Sequence, residues 1–217
     1  MGTKIKLDNV RLSFEHLYKP SAYQNDPTVT PKYSGVFMFA KGSDTEKQLR
    51  AAIAGVAKEA WKNKASAMLT RLDGSNNTRV IHDGDVERDI DKYPEYAGQL
   101  YINPKNKVRP TIVNRNAQPV DENSIQHPYS GCYCNVYVDV WAMSKGTSQR
   151  VNLTLLGVQF YKNGEKFTAG ADVSKASDFE DLGDDPDEQV EAPWGAQTVG
   201  GYGSMNGAEN QPADDLL

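Results

Sequence analysis

Cysteine, histidine and long apolar runs are scarce in this chain, and each scarcity removes a class of function. Its 217 residues include two cysteines, Cys132 and Cys134. On one strand face their Cα atoms would stand roughly 6.5–7 Å apart, at or beyond the reach of a disulfide, so reduced core thiols are expected. Two sulfurs without companion Cys or His spacing also make a poor zinc site, and no cofactor is implied. Three histidines, His16, His82 and His127, lie far apart. No serine elbow, phosphate-cradling glycine loop or activated cysteine accompanies them, so the chain is not expected to be an enzyme. No stretch approaches the roughly 20 apolar residues that span a bilayer, and residues 1–9 lack the apolar segment of a signal peptide. A cytoplasmic protein with no membrane partner is the expectation.

Charge is present but unevenly shared. The formal net charge is −5, yet residues 172–217 hold twelve acidic residues and one basic one, Lys175, whereas residues 1–171 hold 23 basic and 17 acidic ones. A positive body is joined to a strongly negative tail. The tail mixes acidic runs with a glycine-rich stretch and has too few aliphatic side chains to offset the entropy of ordering it, so it is expected to be disordered. The chain therefore divides into a domain at residues 1–171 and an acidic tail at residues 172–217. A tethered polyanion should compete with nucleic acid for a basic site.

The most informative stretch is residues 129–167. Read with a period of two, Cys132, Cys134, Val136, Val138, Val140 and Ala142 face one way, and Tyr133, Asn135, Tyr137, Asp139 and Trp141 the other. A second run covers residues 150–161, and Asn163-Gly164 then predicts a tight hairpin turn into a third strand. Rings on an outward strand face are what unpaired bases stack on, although the same rings could close a second core layer. Residues 4–14 and 33–41 read as further strands, the latter apolar on both faces and so central. Residues 17–31, with three prolines and no periodicity, read as a long loop that could serve as a lid or a dimer contact. Ser43-Asp44-Thr45-Glu46 has the form of a capping box ahead of one amphipathic helix reaching about Leu72, whose basic face is expected to be solvated.

Two charged stretches compete for a functional reading. Asp83, Asp85, Glu87, Asp89 and Asp91 alternate after His82, but Arg88 and Pro94 stand where a calcium loop needs Gly and Glu. A solvated loop is preferred to a metal site. Lys105, Lys107, Arg109 and Arg115 crowd a proline-bounded connection between strands at residues 100–103 and 111–114, with no acid among them, which favours phosphate contact. The leading reading is a sequence-tolerant single-strand binder: Tyr133, Tyr137 and Trp141 stack on bases, while Lys105, Lys107, Arg109, Arg115, Lys145 and Arg150 guide the backbone. The rivals are a magnesium-dependent nuclease built on Asp83, Asp85 and Glu87, and an adaptor whose aromatic strands form a protein interface.

Several stretches resemble one family: Asp8-Asn9-Val10-Arg11-Leu12-Ser13-Phe14, Asp83-Gly84-Asp85, Tyr93-Pro94-Glu95-Tyr96-Ala97-Gly98, Tyr101-Ile102-Asn103 with Lys105 and Arg109-Pro110, and Tyr129-Ser130-Gly131-Cys132-Tyr133. In this order they are similar to the phage single-stranded DNA-binding proteins formerly catalogued as a domain of unknown function. The resemblance implies a mainly β, oligonucleotide-binding (OB) barrel with an inserted α-helix, acting on single-stranded DNA in phage replication or recombination within the host cytoplasm. It also implies a tail that regulates access to DNA and recruits replication proteins, here through Asp214, Asp215, Leu216 and Leu217. That tip is Leu-Leu rather than the aromatic ending of several such proteins.

Overall fold

The computed structural model describes residues 2–22, 26–144 and 149–167. The acidic tail and Lys145 lie outside the described residues. The strands are β1 (Thr3–Ser21), β2 (Lys32–Ala40), β3 (His82–Asp83), β4 (Gln99–Ile102), β5 (Lys105–Asn106), β6 (Thr111–Val113), β7 (Tyr133–Met143) and β8 (Arg150–Lys162). Helices α1 (Asp44–Trp61) and α2 (Ala65–Asp73) follow β2, and the single turn α3 (Gly84–Glu87) follows β3.

The strands close into a ring. β1 pairs with both β2 and β7, β7 pairs with β8, and β8 reaches back to β2 through β5. All of these ladders are antiparallel except β5–β8, which is parallel and consists of one pair, Lys105 opposite Thr154. The Asn106 amide bridges the same seam by donating to the Leu155 carbonyl at 2.8 Å. This is the partly open, five-stranded ring of an OB barrel, mainly β with a helical insert, as expected.

The barrel interior follows from β7. Cys134, Val136, Val138 and Val140 are fully buried while Tyr133, Asn135, Tyr137, Asp139 and Trp141 retain exposure on the other face, so the period-two reading holds along the strand. Each buried aliphatic contributes about 1.5–3 kcal/mol relative to exposure, which pins the register. Cys132 and Cys134 are free, buried thiols, and burial pushes the Cys132 thiol up to about 12. β2 is central: Val36, Phe37, Met38 and Phe39 are all buried, because the barrel covers one face and a satellite cluster of Val36, Met38, Tyr96 and Tyr101 covers the other.

Four expectations need correction. β1 runs on to Ser21, so the first part of the expected loop at residues 17–31 is strand. Register shifts after Leu7 and Ser13, with Asn9 at φ 52° and Phe14 at φ 46°, reset its alternation, burying Leu7, Val10, Leu12 and Leu17 in turn. The helix breaks at a 3-10 turn, Lys62–Lys64, where Lys62 takes φ 51°, and the apolar face restarts at Ala65 and Leu72. The capping box is offset by one: Ser43 Oγ accepts from Glu46 N–H, but the Glu46 carboxylate takes the N–H of Gly42.

The fourth correction concerns Asn163-Gly164, which makes no hairpin. β8 ends at Lys162, and residues 163–167 run without strand structure beside the segment before β7. Gly131, at φ +106°, and Gly164 lie so close that a Cβ on either would press into a backbone carbonyl of the facing segment, Glu165 or Gly131. Backbone proximity, not a turn, is what glycine supplies there. Gly131→Ala should therefore lower stability by about 1–3 kcal/mol in urea denaturation through strain at positive φ and the blocked approach; an unchanged midpoint would show that the two segments part freely.

Candidate nucleic-acid interface

Closing the ring brings together side chains that the sequence keeps far apart. Two depressions on the barrel surface share Lys32, Asn103 and Lys105. The larger, about 550 Å³, runs over the outer surface of β1 and β2 at Phe14, His16, Ser34 and Val36, and is walled by Ala22, Val29, Thr30 and Arg88. The other, about 300 Å³, lies between the β7–β8 end, with Trp141, Arg150, Asn152 and Thr154, and the segment carrying Thr78, Arg79 and His82. They form one bent groove with Lys32 and Lys105 at the junction.

Pairing of β2 with β5, Ser34 opposite Lys105, fixes that junction. Burial and then the neighbouring Lys32 charge lower the Lys105 ammonium pKa. Neither lysine has a carboxylate partner among the described residues, so two like charges line the junction uncompensated. An anion placed between them would relieve both. The half-buried Trp141 donates Nε1–H to Thr154 Oγ1 at 3.0 Å, which fixes its ring orientation at the groove wall. Arg150, directly opposite Met143 at the start of β8, is exposed beside it.

Nearby acids are occupied elsewhere. Lys41 Nζ holds Asp83 and Asp85, each at 2.7 Å, and Asp85 also accepts from Gly98 N–H. Glu87 binds Arg79 at 2.8 Å and His82 Nδ1 at 2.8 Å, and the His82 ring stacks on Tyr101 with centroids 4.9 Å apart. Asp83, Asp85 and Glu87 of the alternating comb are thus loop braces. In the same region Arg88 lies 5.1 Å from the ring centres of Tyr96 and Tyr101 and 5.6 Å from that of Phe14, so it is held by aromatic faces where it borders the groove.

Of the side chains expected at the site, the groove gathers Lys105, Trp141 and Arg150. Tyr137 is exposed on β7, opposite Lys6 and Gly157. Tyr133 lies at the far end of that row, next to Lys162 and Arg11. The basic connection is split: Lys107 is exposed at a turn, Arg109 sits 5.9 Å from the Tyr18 ring, and Arg115 sits 5.6 Å from the Tyr161 ring. Sequence reasoning missed Lys32, Arg79, Arg88, Phe14 and His16. A signal existed for Lys32, the first residue of a strand whose neighbour Pro31 ends a loop, but its partner could be found only through the β2–β5 register.

A five-stranded OB ring with a cation-lined groove and a fixed tryptophan at its wall has the architecture of the oligonucleotide-binding class of barrel. The chain belongs to the family described as Enterobacter phage Enc34, ssDNA-binding protein, whose family model matches residues 3–190. A phage relative, protein p50 of Acyrthosiphon pisum secondary endosymbiont phage 1, is 34% identical over 189 residues, covering 86% of this chain and 98% of p50. The single-stranded DNA-binding protein from bacteriophage Enc34, solved in complex with ssDNA, superposes with a TM-score of 0.61 at 27% identity, over 76% of this chain and 89% of that one. The single-stranded DNA-binding protein gp2.5 of bacteriophage T7 matches with a TM-score of 0.50 at 10% identity, over 80% of this chain and 98% of that one, a likeness of fold alone. The family and these solved relatives are described as single-stranded DNA-binding proteins. No helix among the described residues is long and apolar enough to cross a membrane.

The Glu87 brace makes a pH prediction. Burial alone would raise its carboxyl pKa, but contacts from His82, Arg79 and the Asp83 N–H outweigh burial and hold it below the ordinary 4.5. A depressed folded-state pKa contributes stability that is present above pH 4.5 and is lost as pH falls through the folded value. Glu87→Gln should cost about 2–3 kcal/mol at neutral pH and remove that part of the acid sensitivity, measured by urea denaturation at a series of pH values. Parallel pH profiles for the two proteins would contradict it.

Proposed function

We propose that this protein binds single-stranded DNA in the bent groove, without base preference, and protects it during phage replication or recombination. The observation that carries the reading is the uncompensated Lys32–Lys105 pair at the groove junction, flanked by Arg150 and a ring at Trp141. Phosphates running past the junction replace lysine–lysine repulsion with attraction, and a base leaving the duplex stack finds the Trp141 face, a contact that contributes about 1–3 kcal/mol. Membership of the Enc34 family and the ssDNA complex of its solved relative support the ligand class. The nuclease alternative has little support, since Asp83, Asp85 and Glu87 are each already held by Lys41, Arg79 or His82.

Titrating the protein with mixed-sequence single strands should quench tryptophan emission, and Trp141→Ala should weaken binding by about 1–3 kcal/mol. Lys32→Gln with Lys105→Gln should flatten the slope of log affinity against log salt by about 1.4, two phosphates at about 0.7 each. An absence of binding at low salt would defeat the reading, and cleavage of labelled strands with magnesium would favour the nuclease.

The tail is assigned a regulatory part by its charge. Residues 172–217, with twelve acids against Lys175, compete with DNA for the basic groove, and Asp214, Asp215, Leu216 and Leu217 offer replication proteins an acidic segment with an apolar tip. Ending the chain after Ala171 should tighten single-strand binding, most at low salt. Equal affinity across a salt series would exclude competition.

A further inference from the structure

Beside the groove, three cations alternate with two rings in one line. Arg11 lies 5.6 Å from the Tyr133 ring centre, Lys162 Nζ lies 4.4 Å from Tyr133 and 6.0 Å from Tyr161, and Arg115 lies 5.6 Å from Tyr161. Strand register makes the line: Tyr133 stands opposite Arg11 on β1 and opposite Lys162 on β8. None of these cations has a carboxylate partner among the described residues, in contrast to Lys6, Lys41, Arg50 and Arg79. Lys162, Arg115 and Tyr161 are exposed. Ring faces hold the cations in place without neutralising them, so the line stays a fixed strip of positive charge.

The strip adjoins the groove. Arg11 also lies 4.3 Å from the Phe167 ring centre, and Phe167 packs on the Val36, Met38, Tyr96 and Tyr101 cluster, as does Phe14. Phe14 and Val36 line the groove itself. Phe14 at the groove and Phe167 beside Arg11 thus rest on one buried cluster, which sets the end of the groove next to the strip.

We propose that the Arg11–Tyr133–Lys162–Tyr161–Arg115 strip is a second contact surface for the same single strand, gripping the phosphates of nucleotides that have left the groove. This rests on the groove being the single-strand site. The occupant is set by charge complementarity and by continuity with the groove: a polyanion already seated at Lys32 and Lys105 has its next phosphates delivered to the strip at high effective concentration. Because cations cover the ring faces, backbone contact, not base stacking, is the role of the strip, and it adds occluded length without adding sequence preference.

The test is a length series of oligothymidylates, from 5 to 25 nucleotides, titrated against the full chain and a Lys162→Gln/Arg115→Gln variant at several salt concentrations. Arg11 is left in place because its guanidinium also donates to the carbonyls of Gly131 and Glu165. The variant should match the wild type on the shortest strand. On the longest it should bind about tenfold more weakly, with a salt slope flatter by about 1.4. Identical affinity and slope at every length overturn the strip while leaving the groove intact. Equal weakening at every length also overturns it, since the two cations would then belong to the groove site. A wild type that binds no strand of any length overturns both the strip and the function on which it rests.

Discussion

The parallel seam between β5 and β8 is the contact on which the proposed binding groove depends. It is the thinnest join in the ring, one ladder pair at Lys105 and Thr154 reinforced by the Asn106 amide on Leu155. Antiparallel ladders carry the rest of the ring, so the seam contributes little to its stability and much to its geometry. The β2–β5 pairing holds Lys105 near Lys32 at the start of β2, and the seam draws the β7–β8 end, with Trp141 and Arg150, to the opposite wall. A sheet left open there would keep every strand and lose the groove.

Electrostatics then sort the cations into two kinds. Lys6, Lys41, Lys47, Arg50 and Arg79 are tied to carboxylates, and all of those pairs but Lys6–Asp8, which lies within β1, brace helices and loops. Lys32, Lys105, Arg150, Lys162 and Arg115 are among those with no carboxylate partner in the described residues, and these five lie in the groove or on the proposed strip. Pairing therefore removes acids from the groove as effectively as their absence would. A local field of one sign in a cleft raises the concentration of a polyanion near it, even on a chain whose formal charge is −5.

How far sequence reveals this depends on the range of the interaction concerned. Period-two burial on β7, the two-faced apolar character of β2 and the helix start at Ser43 are local, and each was legible. The register shifts in β1 were not, because Asn9 and Phe14 take positive φ at breaks between the pairs Leu7–Val136 and Val10–Cys134 and between Ser13–Val36 and His16–Ser34, and those pairings join segments distant in sequence. Asn163-Gly164 misled for a related reason: the dipeptide favours a tight turn, but here Gly164 is needed so that its backbone can lie against Gly131. The basic stretch from Lys105 to Arg115 looked like one site and is split: Lys105 lines the groove, Lys107 is exposed, Arg109 lies by Tyr18 and Arg115 by Tyr161, since β5 and β6 pair with β8 at different points.

The residues that carry the family resemblance mostly build scaffold. Gly84 leaves room for the carbonyls of Tyr96 and Gln99, Asp83 and Asp85 clamp Lys41, Gly98 takes φ 69° and donates to Asp85, and Gly131 admits the Glu165 backbone. At each of these positions geometry permits one residue type or nearly so. The proposed groove, if it takes any sequence of bases, is less demanding: a phosphate accepts Lys or Arg, and a base stacks on any ring that is held at the right angle. A motif thus marks where the backbone is constrained, and the binding surface has to be found by following that backbone until unpaired charge and a fixed ring converge.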